Sequence, residues 1–244
     1  ETIAKEDDVD LSLSDESLGV QRLVRQLVER YAMPLEAKFL RGETITDEER
    51  AELTAVAKEQ GLWGLDLAEE YGGAALSTID NVVVTEENSR CLITIPFGGR
   101  AGFLLNCNDE QKEKYLMPAL RGEKRSFFAQ TEPSGGSDPG NRMETTAVRD
   151  GDDYVINGTK TWITNSIEGG CVALLVKTDT EIMPRHKGMS MFIAEKGPGF
   201  NVSRKLEKLG YKGIDTAELN FDDYRISADN LLGGEEGRGF HNAV

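Results

Sequence analysis

Residues 131–138 have a composition that could hold an anion. The segment reads Thr-Glu-Pro-Ser-Gly-Gly-Ser-Asp and follows a predicted strand. Gly135 and Gly136 carry no Cβ atom, so main-chain N–H groups can approach an anion closely there, and the Ser137 hydroxyl adds a donor. These groups suit a pyrophosphate, although a Gly-Gly-Ser stretch taken alone is also an ordinary turn. The segment matches neither a Walker A loop nor a G-x-G-x-x-G fingerprint, and the sequence predicts no helix after it.

A second stretch, residues 160–165, could hold a flat ring. It reads Lys-Thr-Trp-Ile-Thr-Asn. Alternate side chains of a strand share a face, so Trp162 and Thr164 are predicted to point the same way. An indole can pack on a flat heteroaromatic ring while a hydroxyl bonds to one of the ring nitrogens. Taken alone, the same pattern also fits a half-buried strand with one aromatic residue.

The composition narrows the range of partners. The 244-residue chain has a net charge of −15, and 39% of its residues are hydrophobic, which is enough for the core of one large or two modest domains. Nucleic acid requires clustered Lys and Arg, and an anionic membrane surface repels an acidic protein, so we predict neither partner. No apolar run approaches the roughly 20 residues that cross a bilayer, and no signal peptide is visible at the start.

The chain has few residues that could form a metal site or the active site of a hydrolase. Its two histidines, His186 and His241, are interpreted as surface or loop residues and are too few for a zinc site or a Ser-His-Asp hydrolase. The three cysteines, Cys91, Cys107 and Cys171, are widely spaced and form no C-x-x-C pair. We therefore predict buried or half-buried free thiols and no metal site.

The first half of the chain has the spacing of helices. From about residue 15 to 122, apolar residues recur every three or four positions. A first helix covers residues 20–31 and is predicted to end at Pro34. Further helices are predicted to start at Thr46, which forms a capping box with Glu49, at Ser77 and at Asp109.

From about residue 125 the hydrophobic period changes to two, which indicates strands. The Asp-Gly pair at 150–151 and the Asn-Gly pair at 157–158 favour tight hairpins, because both dipeptides tolerate positive φ angles. We therefore predict an antiparallel meander in this region. The predicted strands cover residues 126–131, 145–149, 154–156, 160–164, 172–178, 189–194 and 217–221.

The order of the elements predicts an α+β protein with segregated parts rather than a Rossmann alternation. An N-terminal all-helical domain (1–122) precedes a middle antiparallel β domain (123–232). Residues 233–244 are interpreted as the start of a C-terminal helical domain. Because the chain begins at Glu1 and ends at Val244 within a predicted helix start, we expect it to be part of a longer protein, with the C-terminal helical bundle missing.

Three motifs, in this order, resemble the signatures of the acyl-CoA dehydrogenase family. They are Phe-Ala-Gln-Thr-Glu-Pro-Ser-Gly-Gly-Ser-Asp at 128–138, Ile-Asn-Gly-Thr-Lys-Thr-Trp-Ile-Thr-Asn at 156–165, and Leu-Asn-Phe-Asp-Asp-Tyr-Arg-Ile at 219–226 with Asn-Leu-Leu-Gly at 230–233. The likeness covers nearly the whole chain, more loosely in the helical half. It is specific for the superfamily and much less specific for the substrate.

The resemblance implies FAD as the cofactor and places it on the two stretches described first. Thr131 would bond the pyrimidine end of the flavin, and Ser137 would lie at the FAD pyrophosphate, close to the acyl-CoA substrate. Trp162 would cover one face of the flavin, and Thr164 would bond near its N5 atom. The implied cofactor-binding residues are Phe128, Gln130, Thr131, Gly136, Ser137, Trp162, Ile163 and Thr164, with Ser137 also binding substrate.

The implied reaction removes a proton from Cα and a hydride from Cβ of an acyl-CoA thioester, and leaves a trans-2-enoyl-CoA. The hydride passes to flavin N5, and the electrons pass on to an electron-transfer flavoprotein. The weakly acidic α-proton requires a carboxylate base. The family places that glutamate in its C-terminal helical domain, so we expect it beyond Val244 and assign no catalytic residue within the chain. Glu132 belongs to the first signature but adjoins Pro133 in a loop, and we interpret its role as structural.

The family resemblance also implies a homotetramer. The acidic charge and the lack of a transit peptide favour the bacterial cytoplasm over the mitochondrial matrix as the compartment. Two alternatives to the dehydrogenase stay open. An acyl-CoA oxidase or flavin monooxygenase of the same superfamily would carry the same motifs, because reaction with oxygen depends on how the missing domain packs over N5. A non-catalytic flavin or acyl-CoA binding subunit would instead take its base from a partner chain.

Overall fold

The computed structural model describes residues 12–65, 67–98 and 102–243. These residues form two compact units. The first unit contains the described residues of Glu1–Asp66 and Ala74–Phe97, and the second those of Leu67–Gly73 and Gly98–Val244.

The first unit is built from four α-helices around an apolar core. The capping box of Thr46 and Glu49 at the start of α3 and the Ser77 cap of α4 confirm the sequence predictions. Helices α1 and α4 are also joined by an ion pair between Arg25 Nη2 and Glu87 Oε1, 2.5 Å apart. The helices are α1 (Asp15–Leu27), α2 (Met33–Leu40), α3 (Asp47–Glu59) and α4 (Thr78–Asn88).

The prediction that Pro34 ends the first helix is wrong. The helix continues through a π turn (Val28–Ala32) into α2, with Met33 N–H bonded to the carbonyl of Val28. A proline inside a regular α-helix removes one hydrogen bond, and its ring collides with the carbonyl four residues earlier. The wider π turn immediately before Met33 makes room for the ring, so the proline is accommodated within a continuous helical segment.

The second unit also has a π turn shortly before a proline, here Pro118. A π turn (Lys112–Leu116) joins α5 to α6, and Met117 N–H bonds to the carbonyl of Lys112. The helix is capped by Asn108, one residue before the predicted Asp109, because the Asn108 side chain is the one that accepts from the main-chain N–H at N3. The α-helices of this unit are α5 (Asp109–Gln111), α6 (Met117–Leu120), α7 (Pro139–Arg142) and α8 (Gly239–Asn242).

A curled seven-stranded sheet forms the centre of the second unit. The strand order is β1-β4-β2-β3-β7-β6, with β5 on the other edge of β4. Most neighbours are antiparallel, as predicted, whereas β1 and β2 both pair with β4 in the parallel sense. The predicted α+β class is thus confirmed. The strands are β1 (Ser126–Ala129), β2 (Thr146–Asp150), β3 (Asp153–Thr164), β4 (Cys171–Lys177), β5 (Met189–Glu195), β6 (Phe200–Lys205) and β7 (Thr216–Ser227).

The hairpin predicted at Asn157-Gly158 does not exist, whereas the turn at Gly151 does. Strand β3 runs straight through the Asn-Gly pair and pairs with β7 on both sides of it, with an irregularity in register at that point. Gly158 is needed for a close approach instead, because a Cβ atom there would lie 2.4 Å from Thr145 Oγ1 and 2.7 Å from Thr145 Cα. Strand β6 was not predicted, since only Phe200 at its start is buried.

Buried apolar residues cover both sides of this sheet. Along β4 the alternate side chains of Val172 and Leu174 belong to one cluster, and those of Ala173 and Leu175 to the other. Helices α5 and α6 border the second cluster. The buried side-chain amide of Gln111 in α5 donates to the main-chain carbonyls of residues 229 and 231, and these bonds hold the helix in place. The sheet is therefore a rigid base for residues that project from β1 and β3.

Candidate functional site

The two stretches singled out in the sequence lie side by side. The main-chain N–H of Thr161 in β3 donates to the carbonyl of Thr131, at a distance of 2.9 Å. Strand β1 ends at Ala129, two positions before the anion-binding candidate begins at Thr131, so the candidate follows a strand, as predicted. The chain thus joins a glycine-containing loop to the strand that carries Trp162.

The loop after β1 turns back on itself within four residues. Glu132 and Gly135 exchange two main-chain hydrogen bonds, of 3.2 and 3.1 Å. A Cβ atom on Gly135 would lie 2.9 Å from Cδ of Arg142, and one on Gly136 would lie 3.3 Å from Cγ2 of Thr131. The glycines therefore permit close packing inside the loop, and Gly136 and Ser137 stay exposed.

Contrary to the sequence prediction, a short helix does follow the loop. Helix α7 begins at Pro139, and the Asp138 side chain accepts from the main-chain N–H of Asn141. Aspartate at the N-cap followed by proline at the first helical position is a recognised helix start, and this was the signal available in the sequence. The helix has four residues, too few for an appreciable dipole.

The end of β3 presents Trp162 and Thr164 on one side, as the alternation predicted. Both are exposed, Trp162 to 60%, whereas the side chain of Ile163 between them is buried in the core. Lys160 pairs with Leu219 of β7, and Ile163 pairs with Ala217. The two β3 residues are three positions apart and their partners only two, so β3 carries one extra residue there. This is a β-bulge, and Trp162 within it has a φ of 60°.

The remaining predicted site residues differ in what they offer a ligand. Phe128 and Gln130 are half-buried, and Phe128 packs against the cluster on the side of the sheet opposite to Phe127. Thr131 is half-buried beside Gly136. Because the Ile163 side chain faces the core, only its main-chain groups remain available to a ligand on the exposed side.

Sequence reasoning missed Lys160, which is fully buried behind the two stretches. Its Nζ atom lies 2.7 Å from Oε1 of Glu132 and 3.2 Å from the carbonyl oxygen of Gln130. Burial lowers the pKa of Lys160, although the negative charge of Glu132 opposes that shift. For Glu132 burial raises the pKa, but the attraction and hydrogen bond of Lys160 outweigh it, and the pKa ends below its usual value. Glu132 is thus a structural residue, in agreement with the interpretation of the sequence.

Other candidate groups take no part in this site. The three cysteines are free and buried, as predicted. His186 and His241 are exposed, which also agrees with the sequence interpretation. Across the described residues, no cluster of His, Cys, Asp and Glu has the arrangement of a metal site. None of the helices described here has the length and hydropathy needed to span a bilayer.

Comparison with known proteins identifies the family. The family model "Acyl-CoA dehydrogenase, N-terminal domain" matches residues 14–123, and "Acyl-CoA dehydrogenase, middle domain" matches residues 127–224. A (2S)-methylsuccinyl-CoA dehydrogenase of Cereibacter sphaeroides is 38% identical over 89% of this chain and 42% of its own length. The short-chain specific acyl-CoA dehydrogenase of Clostridium acetobutylicum is 34% identical over 97% of this chain and 60% of its own.

Solved structures give the same result. The crystal structure of an acyl-CoA dehydrogenase from Geobacillus kaustophilus matches with a TM-score of 0.78 and 35% identity, over 96% of this chain and 62% of that one. The chain therefore spans less than two thirds of the length of these relatives. Its fold, the two matched domains and these identities show that the chain belongs to the acyl-CoA dehydrogenase family.

Proposed function

We propose that this chain supplies the flavin site of an FAD-dependent dehydrogenase that converts an acyl-CoA thioester into a trans-2-enoyl-CoA. The observation that carries the proposal is the hydrogen bond between Thr161 and Thr131. It joins a loop with exposed Gly136 and Ser137 to a strand end with exposed Trp162. FAD contains an anion and a flat ring in one molecule. The loop and the strand end place groups suited to each of these parts next to each other.

The described residues fit FAD in type and exposure. The Trp162 indole offers an open face for one side of the ring system, and the Thr164 hydroxyl, exposed on the same side of β3, offers a hydrogen bond at the ring edge. Thr131 is proposed to bond the pyrimidine end, beside Phe128 and Gln130. FAD, when bound, supplies the hydride acceptor for the reaction.

The pyrophosphate of FAD is proposed to lie at the loop formed by Gly136 and Ser137. Both residues are exposed, and no side chain of Gly136 obstructs an anion. The Ser137 hydroxyl is proposed to serve the acyl-CoA as well, because it lies at the same open loop. Ile163 is proposed to contribute only main-chain groups to FAD binding, because its side chain is buried in the core.

The proton-abstracting base is proposed to be a glutamate from the part of the family's length that this chain does not span. Glu132 is unsuited to the role because it is buried and already bound to Lys160. On the family likeness we also propose an electron-transfer flavoprotein as electron acceptor, a homotetrameric assembly and the domain division at 122–123 and 232–233. The bacterial cytoplasm is proposed as the compartment on the acidic charge, with the mitochondrial matrix as the alternative.

The decisive experiment is anaerobic reduction of the flavin. The protein that carries this chain is purified, loaded with FAD, and mixed without oxygen with acyl-CoA thioesters of increasing length and branching. Bleaching of the visible flavin absorbance by at least one thioester, with enoyl-CoA as the product, supports the proposal. A protein that gains no flavin absorbance on addition of FAD, or binds FAD but is bleached by no thioester, contradicts it.

The fate of the electrons is tested with the reduced protein. Reoxidation by an electron-transfer flavoprotein, with slow reaction with dissolved oxygen, is expected of a dehydrogenase. Rapid oxygen consumption during turnover would instead identify an oxidase or monooxygenase of the same superfamily.

A further inference from the structure

A buried ion pair lies directly behind the candidate site. Lys160 and Glu132 have side chains that are 0% and 3% exposed, and their charged atoms are 2.7 Å apart. Lys160 also donates to the main-chain carbonyl of Gln130, at 3.2 Å. The pair thus binds the last residues before the glycine loop to strand β3.

The carboxylate of Glu132 makes further bonds with the chain that follows the loop. Its Oε2 atom accepts from the main-chain N–H of Glu144, and its Oε1 atom accepts from that of Thr145, at 2.5 and 3.1 Å. Both N–H groups lie just before strand β2. One buried carboxylate therefore fixes both ends of the segment 132–145, which includes Gly136 and Ser137.

Lys160 occupies the position at which β3 departs from regular pairing. The register with β7 shifts between Lys160 and Ile163, and the N–H of Thr161 turns to the carbonyl of Thr131. Trp162 follows at positive φ and is exposed. The buried ammonium is thus placed where it can hold the bulge that presents the indole.

Stability alone does not account for such a pair. Removing two charges from water is costly, and well-packed neutral residues of similar volume usually stabilise a fold as well or better. What a hydrogen-bonded buried pair adds is a defined geometry, because each of its partners must occupy one place.

We infer that Lys160 and Glu132 are positioning residues that fix the β3 bulge and the glycine loop relative to each other. They hold Trp162 at a set distance from Thr131 without touching the ligand. The functional part of this inference rests on the proposed FAD site, and the structural part does not.

The test uses one variant that removes both charges and one that removes only the charge of the carboxylate. In the double variant Lys160→Met/Glu132→Gln, methionine fills the volume of the lysine stem, and the glutamine oxygen can still accept a main-chain hydrogen bond. The second variant, Glu132→Gln alone, changes fewer atoms but leaves the Lys160 ammonium without its carboxylate partner. Arg225→Met is the matched control, because it removes a strand cation whose ion pair with Asp150 is exposed.

Two measurements are made on each variant in the protein that carries this chain. The first is the hydrogen-exchange rate of the Thr161 amide, which reports on its bond to Thr131 whether or not flavin is present. The second is the dissociation constant of FAD. Thermal unfolding establishes that each variant is folded.

The expected result for the double variant is a folded protein whose Thr161 amide exchanges at least about tenfold faster. Its FAD dissociation constant should rise by about tenfold or more, with no change in the Arg225→Met control. A folded double variant with unchanged exchange and unchanged FAD affinity would overturn the inference.

If the double variant does not fold, the Thr161 exchange rate and the FAD dissociation constant of Glu132→Gln decide whether the inference holds. If neither variant folds, the pair is required for stability rather than for positioning, and the inference is wrong. If the unaltered protein binds no FAD, the proposed function fails, while the exchange of Thr161 still decides whether the pair holds the bulge.

Discussion

Replacing Trp162 by alanine should damage FAD binding while leaving the fold intact. The residue is 60% exposed. A tryptophan presents up to about 250 Å², so a ring stacked on one open face would cover on the order of 75 Å² of it. At about 25 cal/mol per Å², that contact is worth about 2 kcal/mol, and the aromatic pairing adds about 0.5–1.5 kcal/mol. We expect Trp162→Ala to weaken FAD binding by about 2.5–3.5 kcal/mol, or roughly 70- to 400-fold.

The stability of the variant should change little. An exposed side chain contributes few contacts, and alanine shares with tryptophan the cost of a positive φ, so the free energy of unfolding should move by no more than about 0.5 kcal/mol. Glycine has no such cost, so Trp162→Gly should be as stable as the unaltered protein or more so.

The assay is a titration of the flavin-free protein with FAD, followed by the change in flavin fluorescence. Trp63→Phe is the control, because this other tryptophan of the chain packs against the core of the first unit. Its FAD affinity should equal that of the unaltered protein. If Trp162→Ala binds FAD within about twofold of the unaltered protein, the assignment of this strand to the flavin ring is refuted.

Three further predictions concern the same unit. Thr164→Val, which keeps the shape of an exposed residue but removes its hydroxyl, should weaken FAD binding or slow flavin reduction by about 2- to 10-fold; unchanged values in a titration and in stopped-flow reduction would contradict the role of this hydroxyl. Gly158→Ala should lower the free energy of unfolding by about 3 kcal/mol or more, because strain and a backbone collision combine, whereas Gly151→Ala, with open space around it, should cost about 1 kcal/mol; equal denaturation midpoints would argue against the close strand approach. Burial raises the pKa of Cys107 to about 12 and that of Cys171 to about 11, so a thiol reagent at neutral pH should label neither in the native protein and both after unfolding, as mass spectrometry can establish.

Local signals in the sequence predicted much of the fold. The capping box at Thr46, the cap at Ser77 and the alternation that places Trp162 and Thr164 together all depend on residues close in sequence, so they can be recognised from short patterns. The prediction at Pro34 failed because the π turn before it is a property of the helix as a whole. No single residue type announces such a turn.

Long-range pairing explains the other failures. Asn157-Gly158 has the composition of a hairpin, yet β7 pairs along both sides of it, and the packing against Thr145 decides the conformation. The alternation that places Trp162 and Thr164 on the exposed side of β3 would place Lys160 there as well, yet Lys160 is buried. The bulge interrupts that alternation. The partner of Lys160, Glu132, is 28 residues away in sequence, so no short pattern reveals the pair.

The Met-Pro dipeptides that follow the two π turns, at 33–34 and 117–118, have a consequence for insertions and deletions. A π turn is equivalent to one extra residue in an α-helix, and it rotates everything after it by about 100° around the helix axis. Deleting one residue from Val28–Ala32 would restore a regular helix and bring the ring of Pro34 against a carbonyl. The proline and the extra residue should therefore be gained or lost together during evolution, and an alignment of this segment should place any one-residue gap where the proline is replaced.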